Sequence, residues 1–324
     1  MLKYRLTFGT AMIVALLGIV ALDAWLDQID ISGTVWQKLF FGRTYLPAGL
    51  VLLLLAMTLC VLWARELSAI FRAKNIPTDP LIIAVAGMIG ALLTYMIPHR
   101  LDSQVTIGIF ATVVVLLFLI SLVKHSWGGR VEGAIAAGAI AMFSMIYAGL
   151  LPGFFLAIRR WHSAWVVVAI ILITKSCDTG AYFVGRLMGR HKLIVWLSPG
   201  KTWEGLFGGV IISGLVAMAV AALFNHLQLT LETVHLAGIW RIDEQGRRFD
   251  EITYPLVATA AAGALIGVVG QLGDLTASLL KRDAGIKESG WAVPGFGGVL
   301  DVVDSPFLVA PLAYWMLRLL AGTS

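Results

Sequence analysis

Long apolar runs separated by short polar stretches dominate the pattern of this chain. A membrane-spanning helix needs about 20 mostly apolar residues, and nine runs approach or exceed that length. The predicted helices cover residues 6–26, 46–64, 80–98, 104–123, 133–157, 163–185, 206–224, 255–280 and 303–321. The pattern therefore predicts an all-α fold, a polytopic membrane bundle with about nine transmembrane helices.

The first run and the loop charges predict a cytoplasmic N-terminus. Lys3 and Arg5 precede the first run as in a signal peptide, but acidic residues follow it where a small-residue cleavage site would be expected. We therefore interpret this run as a helix. With the N-terminus inside, the inner loops carry more Lys and Arg than the outer ones, which is the usual bias in membrane proteins. The expected location is the cell (inner) membrane.

Composition supports this assignment and narrows the chemistry. Of the 324 residues, 59% are hydrophobic and only 13% are charged, whereas soluble domains carry about 25% charged residues. Cys60 and Cys177 both lie in apolar runs and show neither disulfide nor metal spacing. The net charge of +5 suits anionic lipid or nucleotide, although topology signals explain it better, and we expect no nucleic-acid partner. The polar loop 225–254 is predicted outside, without assigned chemistry.

Ionisable residues inside spanning helices are costly and need a reason. The first five helices carry almost none, so residues 1–160 are predicted to be scaffold and residues 161–324 the catalytic part of one membrane domain. In the sixth helix, Lys175, Asp178, Tyr182 and Arg186 fall on one stripe. The glycines of this segment fit either close helix packing or close approach of the backbone to a ligand. A self-neutralising Lys175–Asp178 pair would explain its charges without a function.

The last two helices carry a second polar group. Gln271, Asp274, Ser278 and Lys281 share a stripe, and Asp301 and Asp304 share a face at the start of the ninth helix. Helix capping explains one of these aspartates but not all three carboxylates. Such a hard-oxygen set suits Mg²⁺ and a possible second cation. Four cationic residues lie near these carboxylates in the sequence: Lys201, Lys281, Arg282 and Lys287. A metal site with surrounding cations is typical of enzymes that transfer phosphoryl or nucleotidyl groups.

The stretch SPGKTWEG at residues 198–205 contains a Gly-Lys-Thr reminiscent of a phosphate-binding P-loop. A P-loop needs a glycine five residues before Gly200, and Val195 stands there. We therefore predict a cytoplasmic loop that presents Ser198, Lys201, Thr202 and Glu204 to a nucleotide without a P-loop fold.

Two blocks of the C-terminal half resemble the phosphatidate cytidylyltransferase (CDP-diacylglycerol synthase) family. Residues 278–304, SLLKRDAGIKESGWAVPGFGGVLDVVD, are similar to the family signature S-x-x-K-R, K-D, P-x-H-G-G and D-R-x-D. Residues 177–209 are similar to its D-x-x-A-Y-x-x-G-R and S-P-x-K-T-x-E-G blocks. Three positions depart from the pattern. Glu288 replaces Asp and keeps the carboxylate, whereas Phe296 replaces His and Val302 replaces Arg and both remove a polar group. These two replacements leave the lipid preference open, and the sequence does not indicate an acyl-chain preference.

The resemblance implies synthesis of CDP-diacylglycerol and pyrophosphate from CTP and phosphatidic acid at the bilayer, with Mg²⁺. It implies Asp274, Asp301 and Asp304 as metal ligands and catalytic groups, together with Lys281. The other implied contacts are with the nucleotide and the phosphatidate headgroup: Asp178, Ser198, Lys201, Thr202, Glu204, Arg282 and Lys287.

Two other functions stay open at this point. A CTP-dependent lipid kinase of the polyprenol or phytol type would release CDP instead of pyrophosphate. A secondary transporter of an anionic solute would need no CTP, and it would be expected to keep its charges near the middle of the membrane. A homodimer is also plausible, because small residues line several helices.

Overall fold

The computed structural model describes residues 2–40, 42–76, 78–96, 103–127, 129, 131–232, 255–290, 293, 295 and 297–321. Most of them are helical. In chain order the helices are α1 (Leu2–Leu26), α2 (Val35–Leu39), α3 (Leu50–Ala73), α4 (Pro80–Met96), α5 (Ser103–Ser126), α6 (Ala134–Ser144), α7 (Leu151–Trp161), α8 (Ala164–Met188), α9 (Trp203–Glu232), α10 (Leu256–Asp283) and α11 (Val299–Ala321).

The helices confirm the predicted all-α polytopic architecture. In the described ranges, eight helical stretches are long and apolar enough to cross a membrane, and the 17-residue α4 is a shorter apolar helix. One stretch, Ala134–Trp161, joins α6 and α7 through a π-helical segment, Met145–Leu150. Large apolar side chains such as Ile107 and Leu54 are about two-thirds exposed, as expected of a surface that faces lipid.

Two predicted boundaries were wrong in ways that matter below. The second predicted helix was to end at residue 64, but α3 continues to Ala73 and includes a buried Glu66. The fifth was to end at residue 157, which would leave Arg159 outside the helix. Instead α7 continues to Trp161, and Arg159 is buried.

The predicted loop between α8 and α9 is a small sheet. Strands β1 (Lys192–Ile194) and β2 (Ser198–Thr202) form an antiparallel hairpin in which Lys192 pairs with Thr202 and Ile194 with Ser198. The SPGKT segment is therefore a strand rather than a loop, and α9 begins directly after it. No βαβ unit surrounds it in the described part of the chain, which agrees with the rejection of a P-loop.

Two compact units share the described chain. The first comprises Met1–Met12, Leu52–Ala157 and Ala277–Asp304, and the second comprises Ile13–Val51, Ile158–Thr276 and Ser305–Ser324. Helices α10 and α11 contribute residues to both units. The predicted functional division near residue 160 stays a prediction.

Helices α8 and α9 of the second unit pack through glycines. A Cβ on Gly180 would lie 2.7 Å from the Ile212 side chain, and one on Gly209 would lie 2.6 Å from the Cys177 carbonyl oxygen. Real Cβ atoms do not approach so closely, so a side chain on Gly209 would push against the α8 backbone, and one on Gly180 would require the Ile212 side chain to move. This packing holds the two ends of the β1–β2 hairpin together, because the hairpin connects these two helices.

A buried ion network ties α1 to α7 in the second unit. The Arg159 guanidinium donates to Asp23 Oδ2 at 2.6 Å and to Asp27 Oδ2 at 2.5 Å, and it also reaches the carbonyl oxygens of Asp23 and His162. The amide of Val51 donates to the other Asp23 oxygen at 3.0 Å. Arg159 and Asp23 are each 1% exposed.

Candidate active site

The hairpin of the second unit places a lysine against a carboxylate of α10. Lys201 Nζ lies 2.8 Å from Asp274 Oδ2 and donates at 3.4 Å to the Gln271 carbonyl oxygen. The Lys201 side chain is 18% exposed and that of Asp274 is 33% exposed. Two residues that the sequence assigned to the nucleotide and the metal, 73 positions apart, are therefore an ion pair with access to solvent.

The polar stripe of α8 joins the same network. Gln271 Nε2 donates to Asp178 Oδ1 at 2.8 Å, and the Ser305 hydroxyl donates to Asp178 Oδ2 at 3.2 Å. The predicted Lys175–Asp178 pair is present at 3.3 Å. Asp178 therefore also binds side chains of α10 and α11, so its contacts extend beyond the self-neutralising pair.

Two further residues of the SPGKTWEG segment organise the hairpin. The Thr202 hydroxyl is buried and accepts the amide of Gly205 at 3.1 Å, which caps the N-terminus of α9. Glu204 accepts the amide of His191 at 3.2 Å, and its Oε1 lies 2.6 Å from His191 Nδ1. Ser198 lies at the start of β2 and is partly exposed. Contact of these residues with a nucleotide stays a prediction.

Asp301 is the centre of a second cluster, which lies in the first unit. Lys281 Nζ donates to Asp301 Oδ1 at 2.6 Å. The other oxygen, Oδ2, accepts the amides of Ser289 and Gly298, both at 2.9 Å. The side chains of Lys281 and Asp301 are only 12% and 9% exposed. This arrangement places a lysine and a carboxylate, both implied to be functional, in direct and nearly buried contact.

The turn before α11 allows these contacts because of Gly297. Its φ is +99°, in the left-handed region that favours glycine, and a Cβ there would lie 2.7 Å from Asp301 Oδ2. Backbone strain and a steric clash would therefore both oppose a side chain at this position. The glycine of the family-like P-x-x-G-G segment thus has a local physical explanation.

Sequence reasoning missed Glu66 of α3, which touches this cluster. Glu66 Oε1 accepts the amide of Val299 at 2.7 Å, and Oε2 accepts that of Leu300 at 2.9 Å. The Ser289 hydroxyl lies 3.0 Å from Glu66 Oε2 and 3.0 Å from Asp301 Oδ2. A signal was present, because the helical pattern continues past residue 64 without Gly or Pro and a glutamate within it needs partners.

The remaining predicted site residues have varied surroundings. Asp304, one turn after Asp301, is buried at 5% exposure. Arg282 and Lys287 are exposed, and neither forms an ion pair with another described residue, which leaves them available to an anionic ligand. Phe296, which replaces the family histidine, lies outside the described residues, as does most of the loop 225–254.

The donors suit a hard cation, but they do not form a ready-made metal cage. Across the described ranges, no group of three or more His, Cys, Asp or Glu side chains is placed to hold a metal ion. Asp274 belongs to the second unit, whereas Asp301 and Asp304 belong to the first. Mg²⁺ commonly uses one or two carboxylates and completes its shell with water and substrate phosphate, so the available donor types fit it.

Fold and site together define a polytopic helical membrane protein that holds lysines against carboxylates at two partly buried clusters. The model of the cytidylyltransferase family matches residues 30–320. The chain therefore belongs to the cytidylyltransferase family, and it is an enzyme of the nucleotidyltransferase type.

Curated relatives extend the similarity over most of the chain. A phosphatidate cytidylyltransferase of Staphylococcus epidermidis is 32% identical over 278 residues, which are 85% of this chain and 92% of that protein. One from Bacillus subtilis is 31% identical over 250 residues, 74% of this chain and 80% of that protein. One from Staphylococcus aureus is 28% identical over 82% of this chain and 90% of that protein. The resemblance seen in the two C-terminal blocks thus extends over most of the sequence.

Proposed function

We propose that the chain is a phosphatidate cytidylyltransferase, which makes CDP-diacylglycerol and pyrophosphate from CTP and phosphatidic acid. The observation that carries this proposal is the similarity over 85% of the chain to a relative of that name. The two lysine–carboxylate clusters suit the reaction, since both substrates are polyanions.

The chemistry needs charge compensation more than proton transfer. A phosphate oxygen of phosphatidic acid attacks the α-phosphorus of CTP. A new P–O bond forms, the bond from the α-phosphorus to the bridging oxygen breaks, and its electron pair leaves with pyrophosphate. The nucleophile is already anionic, so no strong base is required. The barrier comes largely from repulsion between anions, which fixed cations relieve when they are positioned in advance.

Lys201 and Lys281 are the cations best prepared for this role. Each is held by a carboxylate at 2.8 Å or less, and each is less than one-fifth exposed. A cation held in place before substrate arrives needs little reorganisation at the moment of reaction. In this proposal Lys201, with Ser198 and Thr202, binds the triphosphate, and Lys281, Arg282 and Lys287 bind the phosphatidate headgroup. Glu204 orients the hairpin, and Asp178 supports it through Gln271.

Mg²⁺ belongs to the proposal, with Asp274, Asp301 and Asp304 as candidate ligands. Asp274 fits best, because its side chain is one-third exposed and its Oδ1 has no hydrogen bond to a described residue. Asp301 already receives Lys281 and two backbone amides, so it has less acceptor capacity left. When bound, Mg²⁺ would neutralise charge on the phosphates and on the leaving pyrophosphate. The proposal also includes a possible second cation at these carboxylates.

The sidedness of the membrane is a further part of the proposal. The Lys/Arg bias favours a cytoplasmic N-terminus, which would put the β1–β2 hairpin in the cytoplasm with CTP. Lys192→Cys introduces an accessible thiol on this hairpin, whereas Cys60 and Cys177 are buried. An impermeant maleimide should label the variant in inside-out vesicles and not in intact cells. Labelling of the variant in intact cells would show that the hairpin lies outside the cell and would refute the proposed orientation.

Product analysis tests the activity itself. Membranes or purified protein receive α-labelled CTP, Mg²⁺ and phosphatidic acid, and the expected products are labelled CDP-diacylglycerol and free pyrophosphate. Release of CDP with a phosphorylated lipid would instead show a lipid kinase. Accumulation of an anionic solute in vesicles without consumption of CTP would show a transporter. Either result would refute the proposed function.

Single variants test the two clusters. Asp274→Asn and Lys201→Met should each lower the rate by about 100-fold or more, since removing one preorganised electrostatic contact typically costs that much. Asp283→Asn is a matched control, because Asp283 lies on the same helix, is 67% exposed and, among the described residues, forms an ion pair only with the exposed Lys74. Wild-type rates in Asp274→Asn with intact folding would remove this aspartate from the proposed site.

A further inference from the structure

We propose that Glu66 is a positioning residue for Asp301, acting through the N-terminus of α11 and through Ser289. The proposal rests on the proposed function, since it assumes that Asp301 takes part in the reaction. Glu66 lies in α3, far from the two sequence blocks that resemble the family, and no sequence motif pointed to it. All of the contacts that carry the inference lie within the first unit.

Glu66 caps α11 with both carboxylate oxygens. The first amides of a helix have no partner within the helix and usually receive one from a residue just before it. Here the acceptor is 233 and 234 residues away, since Glu66 accepts the amides of Val299 at 2.7 Å and Leu300 at 2.9 Å. The capped turn is the one that carries Asp301. The direction in which Asp301 leaves the backbone therefore depends on Glu66.

Two glycines lie directly against the Glu66 carboxylate. A Cβ on Gly298 would lie 2.6 Å from Glu66 Oε2, and one on Gly290 would lie 3.0 Å from Glu66 Oε1. Two glycines thus admit the carboxylate, whose residue is only 7% exposed. Three donors hold this buried acceptor in place, and it in turn restrains the position of the turn that it caps.

Ser289 links Glu66 to Asp301 directly. Its hydroxyl lies 3.0 Å from Glu66 Oε2 and 3.0 Å from Asp301 Oδ2. A hydroxyl has one proton, so it donates to one of these two carboxylates at a time. A proton donated to Glu66 leaves Asp301 Oδ2 with its two backbone amides, whereas a proton donated to Asp301 gives this oxygen a third donor. Glu66 thereby influences both where Asp301 points and how many hydrogen bonds it accepts.

The test variant is Glu66→Gln, which keeps the size of the side chain and replaces one acceptor by a donor. Either Val299 or Leu300 then loses its acceptor, so deuterium exchange at the amides of residues 299–301 should accelerate by about tenfold or more. Residues that orient metal ligands or catalytic groups from outside typically change activity or metal affinity by about 10- to 100-fold when replaced. We expect kcat to decrease by about 10- to 100-fold. The half-saturating Mg²⁺ concentration should rise, and KM for CTP should change little.

Two control variants separate positioning from general damage to α3. Ser68→Ala alters a buried side chain two positions along, whose hydroxyl donates to the Arg65 carbonyl oxygen of its own helix and has no other hydrogen bond to a described residue. It should leave kcat and the Mg²⁺ dependence unchanged. Glu66→Asp keeps both acceptors on a shorter arm and should recover part of the kcat lost in Glu66→Gln. If Ser68→Ala matches Glu66→Gln, the effect is general and the proposal fails.

A double-variant cycle tests the link through Ser289. Ser289→Ala removes the shared hydroxyl, and if Glu66 acts partly through it, the combined loss in kcat should be smaller than the product of the two single losses. Losses that multiply would overturn this link. Wild-type kcat, Mg²⁺ dependence and amide exchange in Glu66→Gln would overturn the whole inference.

The proposed function can fail separately from this inference. If the wild-type protein releases no pyrophosphate, the proposed activity is wrong. Amide exchange at residues 299–301 and the Mg²⁺-dependent rise in melting temperature, compared between wild type and Glu66→Gln, still test Glu66 in that case. An unchanged Mg²⁺-dependent rise together with unchanged exchange would refute the positioning role without any activity measurement.

Discussion

Replacing Arg159 by methionine should destabilise the second unit strongly. Arg159 is the cation between Asp23 and Asp27, at 2.6 and 2.5 Å, and both Arg159 and Asp23 are 1% exposed. Methionine fills most of the volume but supplies neither charge nor donors. Asp23 would keep the amide of Val51 on Oδ1, but this buried carboxylate would lose the arginine that neutralises it.

The size of the effect follows from the burial. Removing one partner of a buried ion pair costs about 3–5 kcal/mol, because it leaves an uncompensated charge. Chains of 150–250 residues lose about 2–4 °C in Tm for each kcal/mol. A longer chain lies at the lower end, so Arg159→Met should lower Tm by roughly 6–10 °C.

Thermal melting of the detergent-purified protein measures this shift. Arg186→Met is the control, because Arg186 is exposed and bonds the Tyr182 hydroxyl on its own helix; it should change Tm by less than about 2 °C, as expected of a surface substitution. Arg159→Met combined with Asp23→Asn should recover part of the loss, since it removes one stranded charge. A Tm within about 2 °C of wild type for Arg159→Met would refute the reasoning that this network is needed for stability.

Three further outcomes follow from single contacts. Burial, with a smaller contribution from Arg318, lowers the pKa of His162 to about 4; stability should therefore be constant above pH 6.5 and fall as the pH drops from about 6.5 towards 4. The difference in Tm between pH 7 and pH 5 should shrink in His162→Gln, and an equal difference would contradict this. Gly209→Leu should prevent folding by clashing with α8, as size-exclusion chromatography would show, whereas Gly18→Ala, in open space, should give a normal profile. Thr202→Val should cost about 1 kcal/mol by removing the cap of α9, and Thr202→Ser should restore the Tm; equal melting of the two variants would exclude the capping role.

The sequence predicted those parts of the fold that depend on local pattern. Apolar runs located the membrane helices, because burial in lipid requires about 20 apolar residues in a row. Helical spacing correctly grouped Lys175 with Asp178, since residues three apart on a helix are neighbours whatever the rest of the chain does.

The sequence did not predict contacts between distant elements. It assigned Lys201 and Asp274 to different ligands, whereas the structure pairs them at 2.8 Å. Their pairing depends on where the hairpin crosses α10, which no periodicity encodes. The partners of Glu66 were missed for a related reason: the helical pattern showed a glutamate that needs partners, but two of these partners are backbone amides of α11, and no side chain in the sequence marks them.

The cap on α11 also has a consequence for biosynthesis. Glu66 is synthesised with α3, whereas two of its donors, Val299 and Leu300, are synthesised more than 230 residues later. At about 5–20 residues per second, this delay is on the order of ten to fifty seconds. During that interval the Glu66 carboxylate is present in an apolar helix, but the backbone donors of α11 have not yet been synthesised. Helix α11 thus supplies donors to a carboxylate made much earlier in α3, and a protein truncated before residue 299 would carry that carboxylate without them.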